Sequence, residues 1–226
     1  YCLRISAMKE VEVRPIENSV AISPPLLQVT GLNFRYPECV LFADWATRIA
    51  PGVTLVRGGE SSGKTTLLRL LAGELPAQAG DIQIGDVHLP QHAVAYHQHV
   101  FRVDPRSTDF DQITLLDYFK TLHHRYPGFD DRVVDDLIEG LALAPHRDKP
   151  LYMLSTGSKR KVWLTAAFAS GATVTLLDEP FAALDKNSID FVKKLLRGAA
   201  SDPARAWVLA DYEVPANVLL AGIINL

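Results

Sequence analysis

Three short stretches of this chain hold residue types at spacings that could do chemistry. Gly58 to Thr65 reads GGESSGKT and fits G-x-x-x-x-G-K-[ST]. The glycines at its two ends let the backbone curl until N–H groups along Gly58, Gly59, Glu60, Ser61, Ser62, Gly63, Lys64, Thr65 and Thr66 converge on one anion, at the positive end of the helix that follows. Lys64 supplies a point charge for the β- and γ-phosphates of a nucleotide, and the Thr65 hydroxyl a ligand for Mg²⁺. The second stretch, TLLDEP at 175–180, puts Asp178 and Glu179 at the end of an apolar run. A carboxylate pair is costly there unless it meets a cation or does work, and helix capping is the competing reading. The third, LSTGS at 154–158, offers the Ser155 hydroxyl and the bare N–H of Gly157 at a helix start. That is either a second anion site or an ordinary N-cap.

These residues need strands and helices to hold them. VTLV at 53–56 is a short apolar strand feeding the glycine-rich loop, and Leu67, Leu68, Leu70 and Leu71 recur at helical spacing after it until Gly73. Strand, loop and helix follow in the order that a phosphate loop requires. Upstream, LLQVTGLNFRY alternates as a strand after Pro24-Pro25, and DIQI at 81–84 and AVAYH at 93–97 read as two more strands around a Gly85-Asp86 turn. Leu115, Leu116, Phe119 and Leu122 predict one helix and Val133, Val134, Leu137, Ile138 and Leu141 another, a helical insert broken at Pro127-Gly128. A helix from Thr156 to about Ser170 leads to TVTLL at 173–177, a strand too apolar to alternate, as in a parallel sheet covered on both faces. Asn187 or Ser188 can cap the next helix, and AWVLA at 206–210 with VLLAGIINL at 218–226 supplies closing strands.

In this order and spacing the three stretches resemble those of the nucleotide-binding subunit of an ATP-binding cassette (ABC) transporter, from about Leu26 to the C-terminus. The resemblance implies an α/β P-loop NTPase fold with a mainly parallel core sheet, an antiparallel N-terminal β part and a helical subdomain over about 100–165. One ATPase domain would then span 26–226 behind a flexible extension over 1–25. The resemblance also implies roles: Asp178 holds Mg²⁺ through water, and Glu179 is the general base for the water that attacks ATP. Ser155 and Gly157 would close over ATP bound to an opposite subunit, in a head-to-tail homodimer or heterodimer. The family's usual LSGGQ is here altered at Thr156, a mild change, and at Ser158, which stands where the family's glutamine makes its contacts.

Three further positions match by place. Tyr36 falls where the family stacks an aromatic ring on adenine, although a half-buried strand tyrosine reads equally well. Gln98 matches the glutamine that senses Mg²⁺ and leads to the membrane subunit, with an exposed loop amide as its alternative, and Asp185 matches the loop that crosses the dimer interface. All seven histidines fall at or before His146, so none follows AWVLA, where the family sets a histidine on the γ-phosphate. Tyr212 is the nearest substitute there, a neutral donor that implies slow basal turnover. The implied protein is a cytoplasmic ATPase subunit, peripheral on the membrane, that drives a separate integral membrane permease. A non-transport switch or assembly factor of the superfamily, and an ATP-binding subunit with little hydrolysis, stay open beside it.

Composition narrows the field further. The 226 residues are 48% hydrophobic with a formal net charge of −3, enough for a large core and without the basic footprint of a nucleic-acid binder. Lys159, Arg160 and Lys161 form the densest basic cluster and read as a solvated helix face. Cys2 and Cys39 make no CxxC pair, which suits a reducing compartment. Val162 to Leu177 is the most apolar stretch, and its polar interruptions leave it short of the ~20 residues of a spanning helix. A metal site among His88, His92, His97 and His99 is disfavoured, because Pro90 blocks helical pairing of the first two.

Overall fold

The structure, a computed structural model, describes residues 24–226, so the extension expected over 1–25 lies almost wholly outside the described residues. Two sheets organise the chain. The first is antiparallel and combines β1 (Leu27–Tyr36), β2 (Cys39–Ile49), β4 (Ala79–Ile84) and β5 (Val87–His88) in the order β2-β1-β4-β5. The second is parallel, in the order β6-β7-β8-β3-β9, from β3 (Gly52–Arg57), β6 (Val100–Arg102), β7 (Val174–Asp178), β8 (Ala206–Asp211) and β9 (Gly222–Asn225). Strand β8 lies between β3 and β7, with Arg57 opposite Asp211 and Asp178 opposite Ala210. This register gathers the loop after β3, the carboxylates after β7 and the segment after β8 at one end of the sheet, where α/β proteins place their ligands.

Both faces of the parallel sheet are covered, which is why its strands read as continuous apolar runs. On one face Leu67, Leu68, Leu70 and Leu71 of α1 (Lys64–Leu71) join Val56, Val174, Leu176 and Val208 and the inner face of the antiparallel sheet. On the other, Val53, Leu55, Leu177, Trp207 and Leu209 pack against α3 (Leu115–Arg125), α4 (Val134–Gly140) and α5 (Thr156–Ala169). Trp207 is buried, stacked on Phe168 with ring centroids 4.5 Å apart. Truncating such a side chain typically costs about 3–5 kcal/mol.

Three helices start on the same device, a side-chain oxygen that accepts the N–H three residues on. Thr114 accepts from Asp117 at α3 (3.1 Å), Ser155 from Ser158 at α5 (3.1 Å), and Asp185 from Ser188 at α6 (Lys186–Ala199; 2.9 Å). The last corrects the expected cap at Asn187 or Ser188: the helix begins earlier, and Ser188 is the donor. A second correction concerns AVAYH, which forms α2 (Ala93–His99) and not a strand. In a strand Val94 and Tyr96 would share a face. Val94 is instead 81% exposed while Tyr96 is fully buried, its hydroxyl donating to the Leu71 carbonyl at 2.7 Å. The strand expected there comes one step later as β6, so Val100–Arg102 belong to the parallel sheet and the helical insert begins after them.

Candidate nucleotide site

The loop after β3 curls as its glycines require. Gly63 sits at φ +100°, a conformation strained for any L side chain, and it delivers the chain directly into α1. Lys64, only 6% exposed, folds back so that its Nζ donates to the carbonyls of Gly58 and Gly59 at 2.8 Å each. The Ser62 hydroxyl is buried without a hydrogen-bond partner, an orphaned polar group inside an anion-shaped loop.

A cleft of about 280 Å³ opens in front of this loop. It is lined by Ser61, Ser62, Gly63, Lys64, Thr65 and Thr66 of the loop and the start of α1, by Glu179 and Tyr212, and by Tyr36, Cys39 and Leu41. Tyr36 is 41% exposed, its hydroxyl 3.3 Å from Thr66 Oγ1 and its ring edge-on to Phe34. Tyr212 lies against the loop, with Lys64 Nζ 4.0 Å from its ring centroid. Partial burial, and then the charges of Glu179 and Glu60, push its phenol above the ordinary value, so it stays a protonated donor near neutral pH. Behind it Asp211 is also pushed up, by burial first and by Glu179 among lesser causes.

Glu179 leaves β7 at φ +45°, a region that non-glycine residues rarely adopt. Its backbone is bound on both sides: the N–H donates to Ala210 at 2.9 Å, and the carbonyl accepts from Ala182 N–H at 3.1 Å and from Arg160 Nη1. Ser61 in the same cleft and Ala183 in the loop beyond it share the positive-φ conformation.

The other predicted residues are placed differently. Ser155 and Gly157 line no part of this cleft. Gly157 has a packing reason of its own to be glycine, because a Cβ there would come 2.4 Å from the Ala183 carbonyl oxygen. Gln98 is not brought to the site. It is exposed on α2, before β6, and β6 runs parallel to β7, so Gln98 lies at the end of the sheet away from Asp178. Its assignment followed the expectation of a strand over 93–97 and fails with it; Val103 and Asp104 occupy the chain just past β6.

The basic cluster is corrected too. Lys159 pairs with Asp111, Lys161 donates to Asp185 at 2.7 Å, and Arg160 Nη1 donates to the carbonyls of Asp178 (3.0 Å) and Glu179. The Lys159 and Lys161 side chains are only 19% and 12% exposed, so this is an engaged face and not a solvated one. Lys161, with two hydrogen bonds from Ser188, holds the Asp185 carboxyl well below the usual carboxylate range. A run of three cations carries no sequence signal that separates these roles; Asp211, Cys39 and Leu41 were likewise silent.

Residues 46–182 match the family model described as ABC transporter. The cytochrome c biogenesis ATP-binding export protein CcmA of Pseudomonas savastanoi pv. phaseolicola is 31% identical over 177 residues, covering 78% of this chain and 83% of that protein. Its counterpart in Escherichia coli K12 is 33% identical over 166 residues, covering 73% and 79%. Among solved structures, an ATP-binding subunit of an ABC transporter superposes with a TM-score of 0.76 at 18% identity, over 88% of both chains. CbiO1 of Clostridium perfringens, part of the cbiONQ ABC transporter complex, gives 0.64 at 20% identity, over 90% of this chain and 88% of that one. At those identities the superpositions speak for the fold alone.

Proposed function

The chain belongs to the ABC transporter family as an ATP-binding subunit with ATPase activity, and from that premise we propose how its residues divide the work. The observation that carries the reading is the convergence of Lys64, Thr65, Glu179 and Tyr212 from three separate segments on one cleft in front of a phosphate loop. Phosphate oxygens take over the Lys64 ammonium from the Gly58 and Gly59 carbonyls, and N–H groups along the loop, with the Ser62 hydroxyl, complete the cradle. Tyr36 flanks the base. The Thr65 hydroxyl and the Asp178 carboxylate are hard oxygen donors that fit Mg²⁺, which when bound neutralises charge on the phosphates. Glu179 accepts the proton of the attacking water, and its strained, doubly bound backbone fixes where that carboxylate points. Tyr212 stands in for the absent histidine as a neutral donor, which gives slow basal turnover.

Ser155 and Gly157 complete the site of an opposing ATPase subunit, identical or related. Their placement outside this chain's own cleft supports that reading. No helix among the described residues is long and apolar enough to cross a membrane. We propose a separate permease as the membrane component, with this subunit on its cytoplasmic face, and the names of the relatives favour export. Release of phosphate from Mg-ATP, together with capture of a multi-spanning protein from solubilised membranes, tests the whole reading. Absence of ATP binding in the folded chain would overturn it, and hydrolysis without any membrane partner would leave the non-transport switch in its place.

A further inference from the structure

We propose that Arg160 is a positioning residue for Glu179, holding the strand end that aims the carboxylate from the helix that begins at Ser155. The inference rests on the reading of Glu179 as the base. Arg160 is the residue of α5 whose guanidinium reaches the main chain of the β7 end, with Nη1 shared between the carbonyls of Asp178 and Glu179. One planar, permanently charged group can hold two adjacent carbonyls in a fixed relation. The restraint falls where the backbone needs one: Glu179 sits at φ +45°, and rotating φ toward the ordinary negative range would swing its Cα–Cβ bond, and the carboxylate with it. Ala210 fixes the N–H side of the residue from β8. Arg160 fixes the carbonyl side from α5.

Two neighbours on the same helix face make the grip continuous. Gly157, Arg160 and Lys161 stand at i, i+3 and i+4 and therefore point one way. Gly157 lies against the Ala183 carbonyl, and Lys161 holds Asp185, so the first two turns of α5 clasp the loop from Asp178 to Asp185 at three points. Burial works against the charge of Arg160, while Glu179, Asp178 and Asp211 favour it, which also places the guanidinium among the carboxylates of the site. In an α5 whose N-terminus meets the opposing subunit, this clasp ties closure there to the aim of the base here.

The test compares Arg160→Met, Arg160→Lys and Glu179→Gln in the full chain by steady-state phosphate release and by titration with a fluorescent ATP analogue. Arg160→Met is expected to lower kcat about 10- to 100-fold with nucleotide affinity within about twofold, the pattern of a misaimed group. Arg160→Lys, which can still donate to both carbonyls, is expected to recover most of that loss. Added to Glu179→Gln, Arg160→Met is expected to cause no further loss, because the group it aims is already gone. An Arg160→Met chain that turns over like wild type while Glu179→Gln is inactive overturns this inference alone; a Glu179→Gln chain that turns over normally overturns the base reading beneath it. Where Arg160→Met does not fold, Arg160→Gln decides: kcat lowered at unchanged affinity keeps the proposal, and wild-type kcat, or affinity lost in step with kcat as a merely structural role would give, overturns it.

Discussion

Helix α1 begins inside a cleft, whereas α5 begins outside it, and the two N-termini that the sequence marks for anions differ in almost every respect that matters. At α1 the backbone before the helix is bent through Gly63, the cation Lys64 lines the cleft, and further lining comes from β1, β2 and the residues just past β7 and β8. At α5 the Ser155 oxygen is already used by the Ser158 N–H, and the nearby cations are committed to Asp111, Asp185 and the β7 carbonyls. The first terminus can cradle a nucleotide with residues of its own chain. The second has its inner face occupied by the loop that carries Glu179, so only its outer end is left for a ligand held elsewhere. Helix dipoles are alike at both ends, so the surroundings decide the difference.

Substitutions at four positions can break or sharpen that contrast. Ser155→Arg is the most severe, because a long cation at the exposed end of α5 blocks approach of a second subunit. ATP-dependent association in light scattering and turnover should both fall to background, while the isolated chain still binds a fluorescent ATP analogue. Unchanged association would show that α5 is not the contact. Glu179→Gln acts at the other terminus: a lost general base lowers kcat by roughly 10²- to 10⁴-fold, with ATP and the associated state retained. Loss of ATP binding in this variant would mean that Glu179 belongs to the cradle itself.

Lys64→Ala deletes the charge from the cleft, and a charged hydrogen-bonding partner of this kind corresponds to roughly a 10- to 100-fold loss in Mg-ATP affinity. Undiminished affinity in a folded variant would remove the phosphate-loop assignment. The smallest effect is expected at Tyr212. Tyr212→Phe keeps the ring over Lys64 and loses the hydroxyl, so kcat should drop by no more than about fivefold at similar affinity, and Tyr212→His should raise it. Should neither variant move kcat, Tyr212 is only a cover over Lys64 and its role as the substitute for the missing histidine is lost.

Legibility in the sequence followed the range of the interactions. Local signals were sufficient for the phosphate loop, for α1 with its leucines at 67, 68, 70 and 71, and for β7, whose unbroken apolar run announced a sheet covered on both faces. The 93–97 segment misled because one buried anchor, Tyr96, outweighs any alternation, and that anchor exists only once α1 has presented the Leu71 carbonyl. The error then carried Gln98 to the wrong end of the sheet, since a residue before a parallel strand and a residue after it differ little in sequence and by the whole strand in space. Strand β2 is not among the strands expected from the sequence; its buried Phe42, Trp45, Thr47 and Ile49 alternate only past an irregularity in its register against β1.

The sequence by itself determined the chemistry on offer: a curled loop with Lys64 and Thr65, a carboxylate pair at a strand end, and a serine and glycine at a helix start, each set by residues within a few positions of one another. Tertiary structure alone decided which of these meet. The order β7-β8-β3 brings Glu179 and Tyr212 to the phosphate loop and leaves Ser155 outside it. The same packing turns two of the apparently solvated cations, Arg160 and Lys161, into a clasp on the loop that carries Glu179, and pairs the third, Lys159, with Asp111. The reason is physical: helix caps and turns are settled by neighbours along the chain, but the partner of a long charged side chain is whatever carbonyl or carboxylate the packing of distant strands delivers within its reach.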